Sequence, residues 1–500
     1  MNLYQTAPNR DIRRRTSTLR ARATAIAGLA LISATGVTRS GTIRPELGDF
    51  GNAVQAPVGG ALTAICDQFV LNFGTPDNTA LTPAEVDLFS RCLELEHTAN
   101  FLLQNGGPID SAIFAIDSLE ALGAALQQQG TEESAAEGTN STKVSRGRVL
   151  LKRLAAVRGG AGGFSVAGLS LGVDGQFFGA DPPKAGEPPV AMQAPGNADE
   201  QVGAMFPAER WGLFVNGMVS FGDKDGTALE NGFEFTVPGL MLGIDRRLGD
   251  DAILGGSLGY ESFDGDFDVT TTVAGGELQA DLVSLSVYSS YHHTKYYIDG
   301  IATYGMADYE MTRNIVYPTI TRTATSDTEG ERLELTAAFG YHGQRDSFQY
   351  SPNLRVSHLS VDIDDYVETE EGGLALAVAD QKIDSLQSIV GCQLAWTVSR
   401  ARGVIIPHIR AEWYHEFAND DHTITAGFAA DPFGVAFSVP TEEPDENYFA
   451  IGGGVSGVWQ RGMQGFIEIE TLQGLEDLSN YVLTAGIRFT PRTRPATAAP

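Results

Sequence analysis

Long apolar runs are missing from this sequence. No stretch approaches the ~18 consecutive apolar residues that a membrane-spanning helix needs, so any crossing of a membrane falls to strands. Positive charge is scarce too: 34 Lys and Arg face 63 Asp and Glu, a formal charge of −29, and such a surplus of carboxylates repels a phosphate backbone and excludes a nucleic-acid partner. Cysteine is nearly absent, and three in 500 residues do not make a disulfide scaffold. Cys66 and Cys92 lie in the same N-terminal region, where they either pair in an oxidising compartment or sit as two thiols in a small helical core, with Cys392 left over. The eight histidines form no H-E-x-x-H pair, so no zinc site is expected, and no cofactor is implied. What the chain has in quantity is glycine, 58 residues, against only 19% charged residues, a mixture that suits a β-rich wall better than a soluble enzyme.

Residues 1–40 read as an export signal, with Arg13, Arg14 and Arg15 as its basic part and Ala23 to Val37 as a short apolar part; cleavage is expected between Ala34 and Ser40. Residues 41–160 follow as a small α-helical region. Its best start signal is Thr82-Pro83-Ala84-Glu85, a capping box with proline in the first turn, after which Leu88, Cys92, Leu95, Ala99 and Leu102 recur at helical spacing until Gly106-Gly107-Pro108. A second helix is expected from Asp117, with Leu119, Leu122 and Leu126 as its apolar face. The next, Thr142 to Arg158, carries six positive charges and no acidic residue before Gly159-Gly160 ends it. Residues 161–209 have the Gly, Pro and Ala content of a linker.

From residue 210 to 489 the period changes to two, and twelve strand-like segments can be counted. Their cores are Trp211 to Phe221, Thr236 to Leu248, Ala252 to Tyr260, Glu277 to Tyr291, Tyr296 to Tyr309, Arg332 to Tyr341, Phe348 to Ser360, Leu386 to Ser399, Val404 to Phe417, Tyr448 to Trp459, Gln464 to Thr471 and Tyr481 to Phe489. Their connections alternate strictly. Tight turns fall at 249–251, 292–295, 342–347, 400–402 and 460–462, while long loops fall at 222–235, 261–276, 310–331, 361–385 and 418–447. Short turns on one edge and long loops on the other are the pattern of an outer-membrane barrel, and an even strand number puts both barrel ends on the periplasmic side. Two strands fix the faces: Leu333, Leu335, Ala337 and Phe339 point to lipid with Arg332, Glu334 and Thr336 inward, and Ile405, Ile409 and Trp413 point to lipid with His408, Arg410 and Glu412 inward. Pro407 is discordant in such a strand, because proline removes a ladder donor.

The final strand, whose Tyr481, Leu483, Ile487 and Phe489 alternate and end on an aromatic, resembles the last strand of autotransporter barrels, as do the opening Trp211-Gly-Leu-Phe-Val-Asn-Gly, Tyr297-Ile298-Asp299-Gly300 and Gly486. The resemblance spans roughly 280 residues, though here Thr490 to Pro500 follow the terminal aromatic. It implies a mainly β fold, a twelve-stranded antiparallel barrel behind a small helical domain. It also implies outer-membrane lipid as surroundings, barrel-assembly machinery reading Tyr481, Leu483, Ile487 and Phe489, inner-membrane export machinery, a passenger at the cell surface whose external partner the sequence does not name, and a helix held in the pore. Typical passengers of the family are long β-helical stems; the 41–160 region is short and helical.

Catalytic motifs lack their context. Gly255-Gly256-Ser257-Leu258-Gly259 and Gly168-Leu169-Ser170-Leu171-Gly172 match G-x-S-x-G but sit in a strand and in the linker rather than at a strand-to-helix elbow, so no catalytic residue is assigned. Gly452 to Gly457 matches G-x-G-x-x-G with no helix after it; small residues facing a plug are the expectation. Asp264, Asp266 and Asp268 are taken as a solvated loop. The expected role is a translocator that anchors and presents its own helical passenger, the alternative being a stand-alone barrel whose helices plug it. The basic 142–158 helix is either a solvated face of the passenger or a pore plug, for which Glu334, Glu412, Glu468 and Glu470 are inward carboxylates of opposite charge.

Overall fold

The computed structural model describes residues 53–105, Leu150, Leu151 and Leu154, 163–166, and 211–489 apart from short stretches in turns and loops. The export signal, the helix expected from Asp117, most of the linker and the tail after Phe489 lie outside the described residues. Twelve antiparallel strands form the wall: Trp211–Lys224, Phe233–Leu248, Ala252–Val269, Ala274–His293, Tyr296–Tyr317, Ile320–Tyr341, Phe348–Ile363, Gln381–Trp396, Gly403–Glu416, Asn447–Trp459, Met463–Gln473 and Leu478–Phe489. Each pairs with the next, and Leu478 to Leu483 of the last pair with Lys224 to Val219 of the first, so the sheet closes into a barrel. Nearer the periplasmic end, the first strand's Gly212 to Val215 pair in parallel with the short strand Gly163–Val166.

Alternation explains the faces. In the sixth strand Leu333, Leu335 and Phe339 are exposed while Arg332, Glu334 and Thr336 are buried, as a wall between lipid and a polar interior demands. Aromatic side chains gather at the periplasmic edge, where Tyr296 lies 6.0 Å from Phe339 and 5.1 Å from Tyr341, ring to ring, and again toward the loops, where Phe221 stacks 6.2 Å from Tyr481. These are the two girdles of a membrane barrel.

Pro407 fits this wall because the ladder to the eighth strand is interrupted beside it: pairing runs to Ala395 with His408 and resumes at Val398 with Ile405. Pro238 and Pro352 use the same device, lying in the gap between the Thr236–Asp264 and Gly239–Glu261 pairs and in that between Gly340–Asn353 and Gly343–Tyr350. Each missing donor falls where no partner is offered.

Several expected loops are corrected by the structure. The third, fourth, fifth and sixth strands continue through 261–269, 274–276, 310–317 and 320–331, and the fifth and sixth reach 22 residues each, about twice what a tilted crossing needs. Here the alternation keeps its period but changes sign: Tyr309, Met311 and Ile315 are buried inside, and Asp308, Glu310 and Glu331 are exposed outside. Two further loops contribute a four-stranded sheet, Tyr366–Val367, Leu376–Val378, Thr423–Phe428 and Ala436–Pro440.

Two helices complete the described fold. α1, Gln55–Phe73, starts before the expected Ala61 and has no side-chain cap at Val54, which is why the sequence carries no signal there. α2, Pro83–Asn105, begins at the expected capping box: the Thr82 N–H donates to Glu85 Oε2 at 2.6 Å and the Glu85 N–H donates to Thr82 Oγ1 at 3.3 Å.

Candidate functional site

The barrel interior has two zones. Within the membrane band the wall is polar, and several of its charges are paired across alternate strands. Arg355 on the seventh strand donates to Glu412 on the ninth at 3.1 and 3.0 Å and to the Tyr414 hydroxyl at 2.9 Å, while that hydroxyl donates to Glu412 at 2.9 Å. Arg410 likewise reaches from the ninth strand to Glu468, at 3.1 Å, and to Glu470 on the eleventh. Such reach requires the strand between to offer no side chain. Gly452 lies between Arg410 and Glu470, and Gly454 between His408 and Glu468; a Cβ on Gly454 would fall 2.5 Å from the Ile467 carbonyl and 3.0 Å from His408. The G-x-G motif is therefore a slot for crossing ion pairs.

The basic residues of the 142–158 segment, from Lys143 to Arg158, lie outside the described residues, so the structure leaves the expected pairing with inward carboxylates open. Glu412, Glu468 and Glu470 bond to arginines of the wall, and Glu334 lies 3.7 Å from Arg332. Of the 142–158 segment, Leu150, Leu151 and Leu154 are described and helical. Leu150 and Leu154 are buried against the inward-facing Met241, Ile253, Tyr288 and Ile301 near the periplasmic turns.

Toward the loops the interior becomes an apolar core. Phe233, Phe235, Phe263, Phe267, Tyr309 and Ile315 of the wall form one buried cluster with Leu62, Phe69, Leu88 and Leu95 of the helices. Cys66 and Cys92 lie at its centre and are bonded, joining α1 to α2 across 26 residues. In the chain-entropy model a loop of that size stabilises the fold by about 3 kcal/mol. Phe69 packs edge-on to Phe433 at 5.1 Å. Asp87 of α2 accepts from Arg322, which points inward from the far end of the sixth strand, at 2.5 and 2.9 Å, and from the Gly373 N–H at 2.9 Å. Burial pushes the Asp87 carboxyl up, but Arg322, the Gly373 N–H and Arg91 together outweigh it and hold it below the usual carboxylate range. Beneath it, Glu368 binds Arg313 through both carboxylate oxygens and accepts from the Leu376 N–H at 2.7 Å.

In the last strand Tyr481 and Leu483 face outward, and Ile487 and Phe489 pair with Gly465 and Met463. Ser257 of the G-x-S-x-G match is buried inside the third strand. The described residues hold no group of three or more side chains placed to bind a metal.

A closed, even-numbered antiparallel barrel with an apolar outer band, two aromatic girdles and a polar interior is a bacterial outer-membrane protein. A family model, the autotransporter beta-domain, matches residues 213–470, and the chain belongs to that family. Among solved structures it is similar to the translocator domain of the autotransporter NalP from Neisseria meningitidis (14% identity, TM-score 0.43, 58% of this chain and 91% of that one). It is also similar to the beta domain of the Bordetella autotransporter Brka (17%, 0.41, 56% and 99%) and to the transport unit of AIDA-I from Escherichia coli (15%, 0.37, 56% and 89%). No curated protein matches it. The barrel is thus an outer-membrane autotransporter translocator.

Proposed function

We propose that this translocator carries residues 53–105 to the cell surface and keeps them there as part of a domain built on its own barrel, a role in anchoring and presentation rather than catalysis. The observation that carries this reading is the packing of α1 and α2 on the loop-bearing end of the barrel, through Phe69 on Phe433 and Asp87 on Arg322. Outer-membrane barrels turn their long loops outward, so that end is the external one. An epitope inserted in the exposed 75–81 connection between the helices tests the reading. It is detected by antibody on intact cells; detection only after the outer membrane is permeabilised would contradict it.

The contact of Leu150 and Leu154 with Ile253 and Tyr288 supports a second element of the role, a helix of the 142–158 segment retained in the periplasmic half of the lumen after export. Deleting residues 142–158 then raises single-channel conductance in planar bilayers, and an unchanged conductance dismisses the retained helix.

A further inference from the structure

The fifth and sixth strands rise far past the outer aromatic girdle, and there their inner face is mostly apolar, with Arg313 and Arg322 as its ion-paired exceptions. A barrel mouth lined by Phe233, Phe263, Tyr309 and Ile315 is costly to leave open to water. What covers it includes α1 and α2, which share its core. Two features make this contact specific. Arg322, at the tip of the sixth strand, turns inward to bind the first turns of α2 through Asp87, while Glu370 also takes Arg322 at 2.8 Å and accepts from the Gly372 N–H at 2.8 Å, fixing the loop against the helix. Gly373 then lies so close to α2 that a Cβ would fall 2.4 Å from the Ala84 carbonyl and 2.6 Å from the Leu88 nitrogen, both backbone atoms that cannot move aside.

We propose that the disulfide-closed α1–α2 hairpin is a lid that seals the barrel mouth from outside, held by Asp87 on Arg322 and by the bare backbone of Gly373, and separate from any helix in the periplasmic half of the lumen. The hairpin is on this view neither a freely projecting passenger nor a pore plug. The proposal rests on the surface reading above.

Adjacent positions on the fifth strand supply the test, because Ala307 faces the covered interior and Asp308 faces outward beside it. Cysteines are placed at each in turn, with Cys392→Ala to remove the free thiol, and intact cells are treated with a membrane-impermeant maleimide; Cys66 and Cys92 are bonded and do not react. Asp308→Cys is labelled rapidly and Ala307→Cys at least tenfold more slowly. Combining Ala307→Cys with Arg322→Ala and Gly373→Trp brings the two rates together, and so does deleting residues 53–105; should one of these variants fail to reach the membrane, judged by heat-modifiable migration, the other decides. Equal rates in the parent chain overturn the lid, as does protection that survives in an assembled variant. Absence of labelling at Asp308→Cys contradicts the surface reading instead, so the two failures are distinguishable.

Discussion

Two stretches of the same strands are built inside out relative to each other. In the sixth strand, Leu333, Leu335 and Phe339 face lipid while Arg332, Glu334 and Thr336 face the lumen; a dozen residues earlier, Ile320 and Ala324 are buried inside while Thr321 and Thr323 are exposed. The strand is unchanged in period and in pairing, so what differs is the medium outside it. Where hydrocarbon surrounds the wall, an apolar outer face has nothing to gain from turning inward. Where water surrounds it, burial of apolar area drives the inner face to become an ordinary protein core. The helices dock where the core is apolar, and the pairs that cross from strand to strand, Arg355 with Glu412 and Arg410 with Glu468, lie where it is polar.

The largest effect is expected where the polar zone is broken. Replacing Arg355 by Leu leaves Glu412 buried without its guanidinium and costs about 3–5 kcal/mol. The double change Arg355→Leu with Glu412→Leu restores most of the loss, as denaturant unfolding in detergent micelles will measure; equal loss in both variants would show that the pair is not the issue. Next comes the outer face. Leu335→Arg, in the lipid band, costs about 2–4 kcal/mol, whereas Asp308→Arg, on the corresponding outward face above the girdle, stays within about 0.5 kcal/mol. Thr82→Ala removes the cap of α2 and lowers the stability of the helical pair by about 1 kcal/mol, read as faster hydrogen exchange over Pro83–Asn105 and not in the barrel.

The smallest expected effect is on pH. Burial pushes Asp87 up, but Arg322, the Gly373 N–H and Arg91 together hold it low, so this carboxylate stabilises docking above the usual range near ~4. That contribution is lost as pH falls through the depressed value. Asp431, beside Phe433, works the other way: burial raises its carboxyl against the N–H groups of Phe433 and Val435, and protonation relieves its cost. Exchange protection of α2, corrected for the intrinsic rate, should therefore fall only modestly below about pH 4, and Arg322→Ala, which removes the side-chain partner of Asp87, should weaken the dependence.

Much of this was legible in the residues. The twelve strands were, because period-two alternation survives in each, and α2 was, because Thr82 and Glu85 form a local device that needs no tertiary partner. The upper strands were read as loops because their outward residues, such as Asp264, Glu310 and Glu331, are polar where a lipid face was expected. Phe263, Phe267, Met311 and Ile315 nevertheless keep the same period on the other face, and a search for alternation of either sign finds them. The crossing ion pairs were not legible. Gly452 and Gly454 acquire meaning only once register sets Arg410 and His408 on one side and Glu470 and Glu468 on the other. The four-stranded sheet and the docking of Asp87 on Arg322 join segments up to 235 residues apart, a separation that no local pattern encodes.

The inversion along one strand is the central claim, and cysteine scanning of the outward positions of the fifth strand tests it most directly. Single cysteines at Ile298, Gly300, Ala302, Tyr304, Met306, Asp308 and Glu310, in a Cys392→Ala background, are probed in native membranes with a water-soluble maleimide and, after coupling to a fluorophore, with a lipid-phase quencher. Positions through Tyr304 should be quenched by lipid and closed to the aqueous reagent, with the change near Met306 and full aqueous labelling at Asp308 and Glu310. Aqueous labelling at Gly300 and Ala302, or lipid quenching that persists at Glu310, would contradict the account.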